Sequence, residues 1–501
     1  MDVKRIVSVS DLWDLLRYLR IADGGQIPIC KILFSLWRKG FLEYVLVCRD
    51  VVSSQFSAEC RWQNKEDLRC RRLHFFNGDP SSGEAEYGGY SDLRPDGSVA
   101  EAFISIKTVK NSRSEGYAFF PCVINTRLRA PINNEGAKQD YAISGFYYIE
   151  KNQRETMCAQ ASLYGVVKYW QHRAGFFKNV STTIDINEQA GLVKPLDCEE
   201  GRGLSIEEMQ KFFASNIVPF WMRNYAYMSA NAVSAEHILQ DVYGFIESGL
   251  PVIAVIKTDR GLHAITVIGH TFDKNSWRAM ADVGYFSRSD SAQPVFLPSV
   301  TWIENLIVVD DNFGPYHFFH SRDLESMVVA MFVPLPVDKI SRPHEAVQLF
   351  AKQMLVSEDF KRLVQHFLGS GRPLPKNQRW LKEFARHLKV KCGDGLVLRP
   401  ILRDSSQVSS VYGEHEFAGA LCVEFTKRSR RGYYWIVEFS WPNLYCFHQS
   451  RCGSVIFRAD DLNMSFVVMH IPGVLIYLEN EEIEIVYAKA EDVPHPHEKP
   501  G

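Results

Sequence analysis

A cysteine at a helix start, a histidine opening an apolar strand and an aspartate closing another are the residues of this chain best placed for chemistry: Cys158, His263 and Asp310. From Cys158 onward Leu163, Val166, Val167 and Trp170 recur at helical spacing, which predicts a buried amphipathic helix beginning at the cysteine. At such a helix start free backbone N–H groups and the positive end of the dipole favour a thiolate. A packed structural cysteine is the alternative reading. Gln153, with Asn152 as its rival, stands just upstream as a side-chain N–H donor.

A nucleophilic thiolate needs an imidazole to pair with it and later protonate the leaving group, and an acceptor to fix the imidazole tautomer. It also needs hydrogen-bond donors for the tetrahedral oxyanion. His263 opens the run His263-Ala264-Ile265-Thr266-Val267-Ile268-Gly269, where a buried strand would not ordinarily begin with an imidazole. Asp310 closes Asn305-Leu306-Ile307-Val308-Val309-Asp310, ahead of the turn Asp311-Asn312-Phe313-Gly314. A carboxylate there reaches His263 if the two strands are antiparallel neighbours. Asp311 is the adjacent rival, and side-chain alternation along a strand leads us to expect that only one of the two faces the ring. Asn275-Ser276-Trp277 resembles the Asn-Ser-Trp run that carries the orienting asparagine in plant-type papains, a resemblance that would make Asn275 a further rival.

The positioning elements are legible in part. Ser205 and Glu208 form a capping box for a helix running to about 214, and a helix is expected over Ala235–Glu247 with Gly249 as its stop. Buried strands are expected at 250–256, 263–269 and 305–310. Ahead of these, a helix is expected near 11–20 with Ser10 as N-cap, and strands at 44–52, 102–109 and 116–124. The Asn77–Ser98 segment, rich in Gly, Pro, Ser and Asp, reads as a long surface loop. Past 335 the composition changes, to helical patterns at 344–369 and 378–389 and strand-like runs at 416–426, 432–440, 453–457, 464–470 and 473–478.

Taken in order, these pieces resemble the papain-like cysteine peptidase superfamily, and within it the bacteriocin-processing (double-glycine leader) peptidase-like family. The matching pieces are Cys158-Ala159-Gln160-Ala161, Gly203-Leu204-Ser205, Gly249-Leu250-Pro251-Val252-Ile253, the His263 strand and Asp310-Asp311-Asn312-Phe313-Gly314. The resemblance implies an α+β fold, with a papain-like core made of an N-terminal helical half and an antiparallel sheet half. It implies Cys158 as nucleophile, His263 as general acid/base, Asp310 as orienting acid and Gln153 as oxyanion donor. The chain departs from the family pattern at Ala159, where a glycine is common. It departs again at the amide six positions before the cysteine, which here is Asn152, and in an insertion at roughly 272–300.

The expected organisation is therefore an N-terminal α/β accessory region (1–145), a peptidase domain (146–336), a C-terminal α+β accessory domain (337–490) and a flexible tail (491–501). The expected activity is cleavage of a peptide or isopeptide bond in a protein or peptide substrate through a Cys-His-Asp triad. Transglutaminase-like acyl transfer with the same residues, or an inactive papain-fold binding module, are the alternatives.

Net charge is −2, so no bulk electrostatic pull toward nucleic acid or anionic membrane operates. The basic cluster Lys427–Arg431 lies between two strand-like runs and reads as a hairpin tip. The longest apolar stretch, 464–478, contains His470 and Pro472 and is too short to span a bilayer. The eleven cysteines are scattered without a C-x-x-C pair, a pattern that fits reduced thiols in a cytoplasmic setting. No P-loop, dinucleotide-binding glycine fingerprint or His-Glu-x-x-His motif occurs, and neither cofactor nor metal is expected.

Overall fold

The computed structural model describes residues 2–5, 9–19, 27–62, 69–109, 117–133, 136–150, 157–192, 203–225, 235–272, 296–338, 340–349, 396–412, 430–440, 453–461, 466–471, 474–479 and 482–487. They form helices and largely antiparallel sheets, an α+β arrangement in two units. One unit comprises Met1–Val233, Gly249–Phe272 and Asn305–Asp338; the other comprises Ser234–Ser248, Asp273–Glu304 and Lys339–Gly501. Among the described residues no helix is long and apolar enough to cross a membrane.

The first unit opens with β1 (Asp2–Arg5), α1 (Val9–Tyr18), α2 (Ile27–Arg38), β2 (Tyr44–Val52), α3 (Ser54–Trp62) and β3 (Arg69–Phe76). It continues through β4 (Tyr87–Leu93), β5 (Val99–Ser105), β6 (Tyr117–Phe119), β7 (Ile124–Pro131) and β8 (Lys138–Tyr148). All but β6 build a seven-stranded antiparallel sheet in the order β1-β2-β3-β4-β5-β8-β7. The expected surface loop over Asn77–Ser98 is corrected here, because β4 lies inside that range and every residue of it is buried. Its glycines permit close packing. A Cβ on Gly89 would stand 2.1 Å from the Phe103 carbonyl oxygen of β5, and the residue sits at φ +115°. Glycine read as turn chemistry was thus strand chemistry. Helix α1 begins at Val9, so Ser10 lies within its first turn and is not its N-cap.

The same unit holds α4 (Cys158–Ala174), α5 (Thr183–Gln189), α6 (Ile206–Ser215), β9 (Phe220–Asn224), β10 (Val252–Thr258) and β11 (Gly261–Phe272). It closes with β13 (Asn305–Asp310), β14 (Gly314–His320), α8 (Ser321–Met327) and β15 (Val328–Pro334); α7 (Ala235–Glu247) and β12 (Phe296–Pro298) belong to the other unit. These strands form a second antiparallel sheet, ordered β14-β13-β11-β10-β15-β9, with β6 paired to β11 through His270 and Phe119. The two units therefore cut the chain differently from the three regions expected. No break falls at 145/146, since β6 lends an N-terminal strand to the second sheet.

Helix α4 forms because its apolar stripe has two surfaces to bury against. Leu163, Val166, Val167 and Trp170 are at most 1% exposed, worth on the order of 2 kcal/mol each. Gly165 lets the helix approach β8: a Cβ there would lie 2.7 Å from a Phe146 ring carbon. Gly175 in the left-handed region (φ 67°) ends the helix. The Ser205–Glu208 capping box is present on α6, with Glu208 N donating to Ser205 Oγ at 3.2 Å and Ser205 N to Glu208 Oε2 at 2.7 Å.

The second unit contains α7, β12, α9 (Pro343–Leu349), β16 (Leu396–Asp404), α10 (Ser405–Tyr412), β17 (Tyr433–Ser440) and β18 (Gly453–Arg458). With β19 (Phe466–Ile471), β20 (Val474–Glu479) and β21 (Glu482–Tyr487) it makes a seven-stranded sheet, β12-β16-β17-β18-β19-β20-β21, in which only β12 and β16 run parallel. Helix α7 spans the expected residues but packs on β16 in this unit, where Arg399 pairs with Glu247 and, at 3.2 Å, with Glu438. The expected helix at 378–389, the strand at 416–426, the tail at 491–501 and most of the 272–300 insertion lie outside the described residues.

Candidate active site

Strand β11 brings His263 to the sheet's end because Gly261, at φ +116°, turns the chain back from β10, and His263 pairs opposite Ile256. From Ala264 to Phe272 the strand is buried throughout, while His263 itself is partly open. Strand β13 runs antiparallel beside β11, with Thr266 opposite Val309, and so carries Asp310 toward the same end. Helix α4 crosses β11 with Cys158 at its first position. The Ser162 hydroxyl, one turn on, donates to the Ala264 carbonyl at 3.1 Å, and Thr266 Oγ1 donates to the Ser162 carbonyl at 3.3 Å.

Three elements thus converge on one imidazole. His263 Nε2 lies 3.2 Å from Asp310 Oδ1, and Cys158, at the first position of α4, is near enough to raise the pKa of the same ring. Burial opposes a charged ring, but the hydrogen bonds to Asp310 and Cys158 and the charges of Asp310 and Asp311 outweigh it, raising the His263 pKa to about 10. Burial alone would raise the Asp310 carboxyl; the hydrogen bond and charge of His263, with the backbone N–H of Asn312, hold it below its ordinary range. Cys158 is half-buried and, like Cys48 and Cys70, is not in a disulfide.

The expectation that only one of Asp310 and Asp311 faces the ring is corrected. Asp311 Oδ1 lies 3.7 Å from His263 Nε2, so both acids reach it. Alternation fails because the β13–β14 register shifts between Val308 and Asp310 and the chain then turns. That turn is tied down locally: Asn312 N donates to Asp310 Oδ1 at 2.8 Å and Phe313 N to the Asp310 carbonyl at 3.2 Å. From β8 the Tyr148 hydroxyl donates to the Asp311 carbonyl at 3.2 Å.

Sequence reasoning missed Asn312. Its Nδ2 lies 3.3 Å from Nε2 and 3.5 Å from Nδ1, a near-equal pair of distances that places the amide across the ring. The clue was its place in the Asp-Asp-Asn run. It also missed the outer shell of this turn. Lys31 of α2 holds its ammonium 4.5 Å from the Phe313 ring centroid, and His317 stacks on that ring at 4.9 Å. Burial and the Lys31 charge keep His317 below the ordinary histidine range. Gln153, Asn152 and Asn275 lie outside the described residues, and the Cys158 backbone N–H stands at the start of α4.

One nitrogen and two oxygens of His263, Asp310 and Asp311 fall within 4.8 Å of one another, a spacing that would admit a small divalent ion. Asp310 already accepts from the Asn312 backbone N–H at 2.8 Å and stands 3.2 Å from the ring. Chemically, the arrangement can hold a thiol against a protonated imidazole whose orientation is fixed by an acid. Comparison with family models, with curated proteins and with solved structures finds no match for this chain.

Proposed function

We propose that the protein is a cysteine-type hydrolase with a papain-like core, cleaving a peptide or isopeptide bond in a protein or peptide substrate. The single observation carrying this reading is His263 Nε2 standing 3.2 Å from Asp310 Oδ1, with Cys158 at the start of α4 near enough to act on the same ring. The Cys158 thiolate attacks the scissile carbonyl carbon, and the oxyanion that forms is met by the Cys158 backbone N–H at the start of α4. Gln153, or Asn152, is the side-chain donor the sequence offers beside it. The His263 imidazolium then gives its proton to the leaving amine as the C–N bond breaks. A water next loses a proton to the neutral ring, attacks the thioester and frees the acid and the thiol. Asp310 holds the ring in the productive tautomer through both halves.

Incubating the protein with a proteome-derived peptide library and a primary amine, with mass-spectrometric readout, tests this. New carboxyl termini that vanish with Cys158→Ala are the expected result. Amide adducts of the added amine in place of free acids would redirect the reading to acyl transfer. No Cys158-dependent product of either kind would overturn it.

A further inference from the structure

Resting on the reading of Cys158 and His263 as a nucleophile–acid pair, we propose that His263 is served by two acids, Asp311 being a second positioning carboxylate that keeps the ring protonated in the resting enzyme. The geometry is unequal by design of the turn. Asp310 Oδ1 takes the closer approach to Nε2 at 3.2 Å, while Asp311 Oδ1 stands at 3.7 Å. A single N–H cannot give two full hydrogen bonds along diverging directions, so Asp310 sets the direction and Asp311 acts chiefly through its charge. Both side chains are almost fully enclosed, at 3% and 1% exposure, where a carboxylate's field on a ring 4 Å away is poorly screened by solvent. Asn312 Nδ2 approaches Asp311 Oδ1 at 3.5 Å and also spans the ring, closing the cluster from the turn side.

The groups facing the ring are Cys158 from α4 and Asp310 and Asp311 from the end of β13, with neutral Asn312 beside them. Farther out, the charges of His317 on β14 and Lys31 on α2 act on Asp310. Glu150, just past β8, interacts electrostatically with Asp311, and burial raises its own carboxyl to about 7. Deprotonating His263 would set two enclosed carboxylates against a neutral imidazole. The ring's raised pKa agrees with that cost.

One consequence separates this site from a single-acid triad. The two carboxylates hold the ring's proton, which remains for the leaving amine. The alkaline limit of hydrolysis is then set by the ring.

The test uses full-length protein labelled with 15N at its histidine rings. The His263 signals, identified by their loss in His263→Gln, are titrated in wild type and in Asp311→Asn. The wild-type ring is expected to keep both protons well above pH 8, and Asp311→Asn to lower its midpoint by about one to three pH units. An unmoved midpoint in Asp311→Asn overturns the proposal. So does a wild-type ring titrating near the ordinary histidine value of about 6.5, an outcome that needs no variant to fold. If the midpoint drops as expected while no Cys158-dependent hydrolysis exists, the hydrolase reading fails and the two-acid ring stands. If hydrolysis is found but the midpoint does not move, the reverse holds.

Discussion

The Ser162 hydroxyl donates to the Ala264 carbonyl at 3.1 Å, bonding the residue one turn past Cys158 to the residue beside His263. Cys158 and His263 come from elements about a hundred residues apart in the chain (263 minus 158 is 105), and this bond sets the helix against the strand at the height where they meet. Thr266 returns the bond to the Ser162 carbonyl, so the crossing is latched from both sides.

Replacing that hydroxyl tests the latch. Ser162→Ala leaves the buried Ala264 carbonyl without this donor and is expected to cost about 1–2 kcal/mol in urea unfolding. Because the helix can then shift along β11, the alkylation rate of Cys158 should fall as well. A variant that loses stability yet keeps the full alkylation rate would show that Ser162 holds the fold and not the site.

A second prediction concerns the strand that the sequence concealed. Gly89→Ala must place its Cβ where the Phe103 carbonyl oxygen already stands, at a backbone φ of +115°. The two penalties act together, and the loss should be on the order of 4 kcal/mol or more. Expression of soluble, cooperatively unfolding Gly89→Ala protein would mean that β4 is not the buried strand described.

The ion pair makes stability depend on pH in a stated direction. The His263 pKa is raised to about 10, so its contribution is complete below the unfolded value of about 6.5, declines above it, and is lost as pH rises through about 10. The Asp310 pKa is lowered, so its contribution is present above the unfolded value of about 3.9 and lost as pH falls through the folded value. The stability difference between wild type and His263→Gln, from urea melts, should therefore be largest near pH 5–6 and shrink steadily toward pH 10. A difference independent of pH across that range would contradict the pairing.

How much of this was legible in sequence depended on whether a local pattern had one cause. β13 spans the expected residues, and Ser205 and Glu208 cap α6 as read, because continuous apolar runs and capping boxes each have a single structural solution. His263 stood out as an imidazole at the mouth of an apolar strand. Gly88-Gly89 had two solutions, a turn or a close strand crossing, and only the packing against Leu36, Phe41 and Phe103 distinguishes them. Asp311 stood as the rival of Asp310 because strict alternation admits only one of them, and a register shift in β13 abolishes that alternation. Tyr148 and Lys31 were invisible as site residues, since each reaches the turn through tertiary contacts that no spacing encodes.

The central claim is that Cys158 and His263 act as one chemical unit, and limiting iodoacetamide at neutral pH addresses it most directly. Peptide mapping of wild type, Cys158→Ala and His263→Ala would report which thiols are alkylated and how fast. Preferential modification of Cys158, lost or slowed at least about tenfold in His263→Ala, is the result expected of a thiol activated by its imidazole. Slow labelling spread evenly over the cysteines, and unchanged when His263 is removed, would contradict the account.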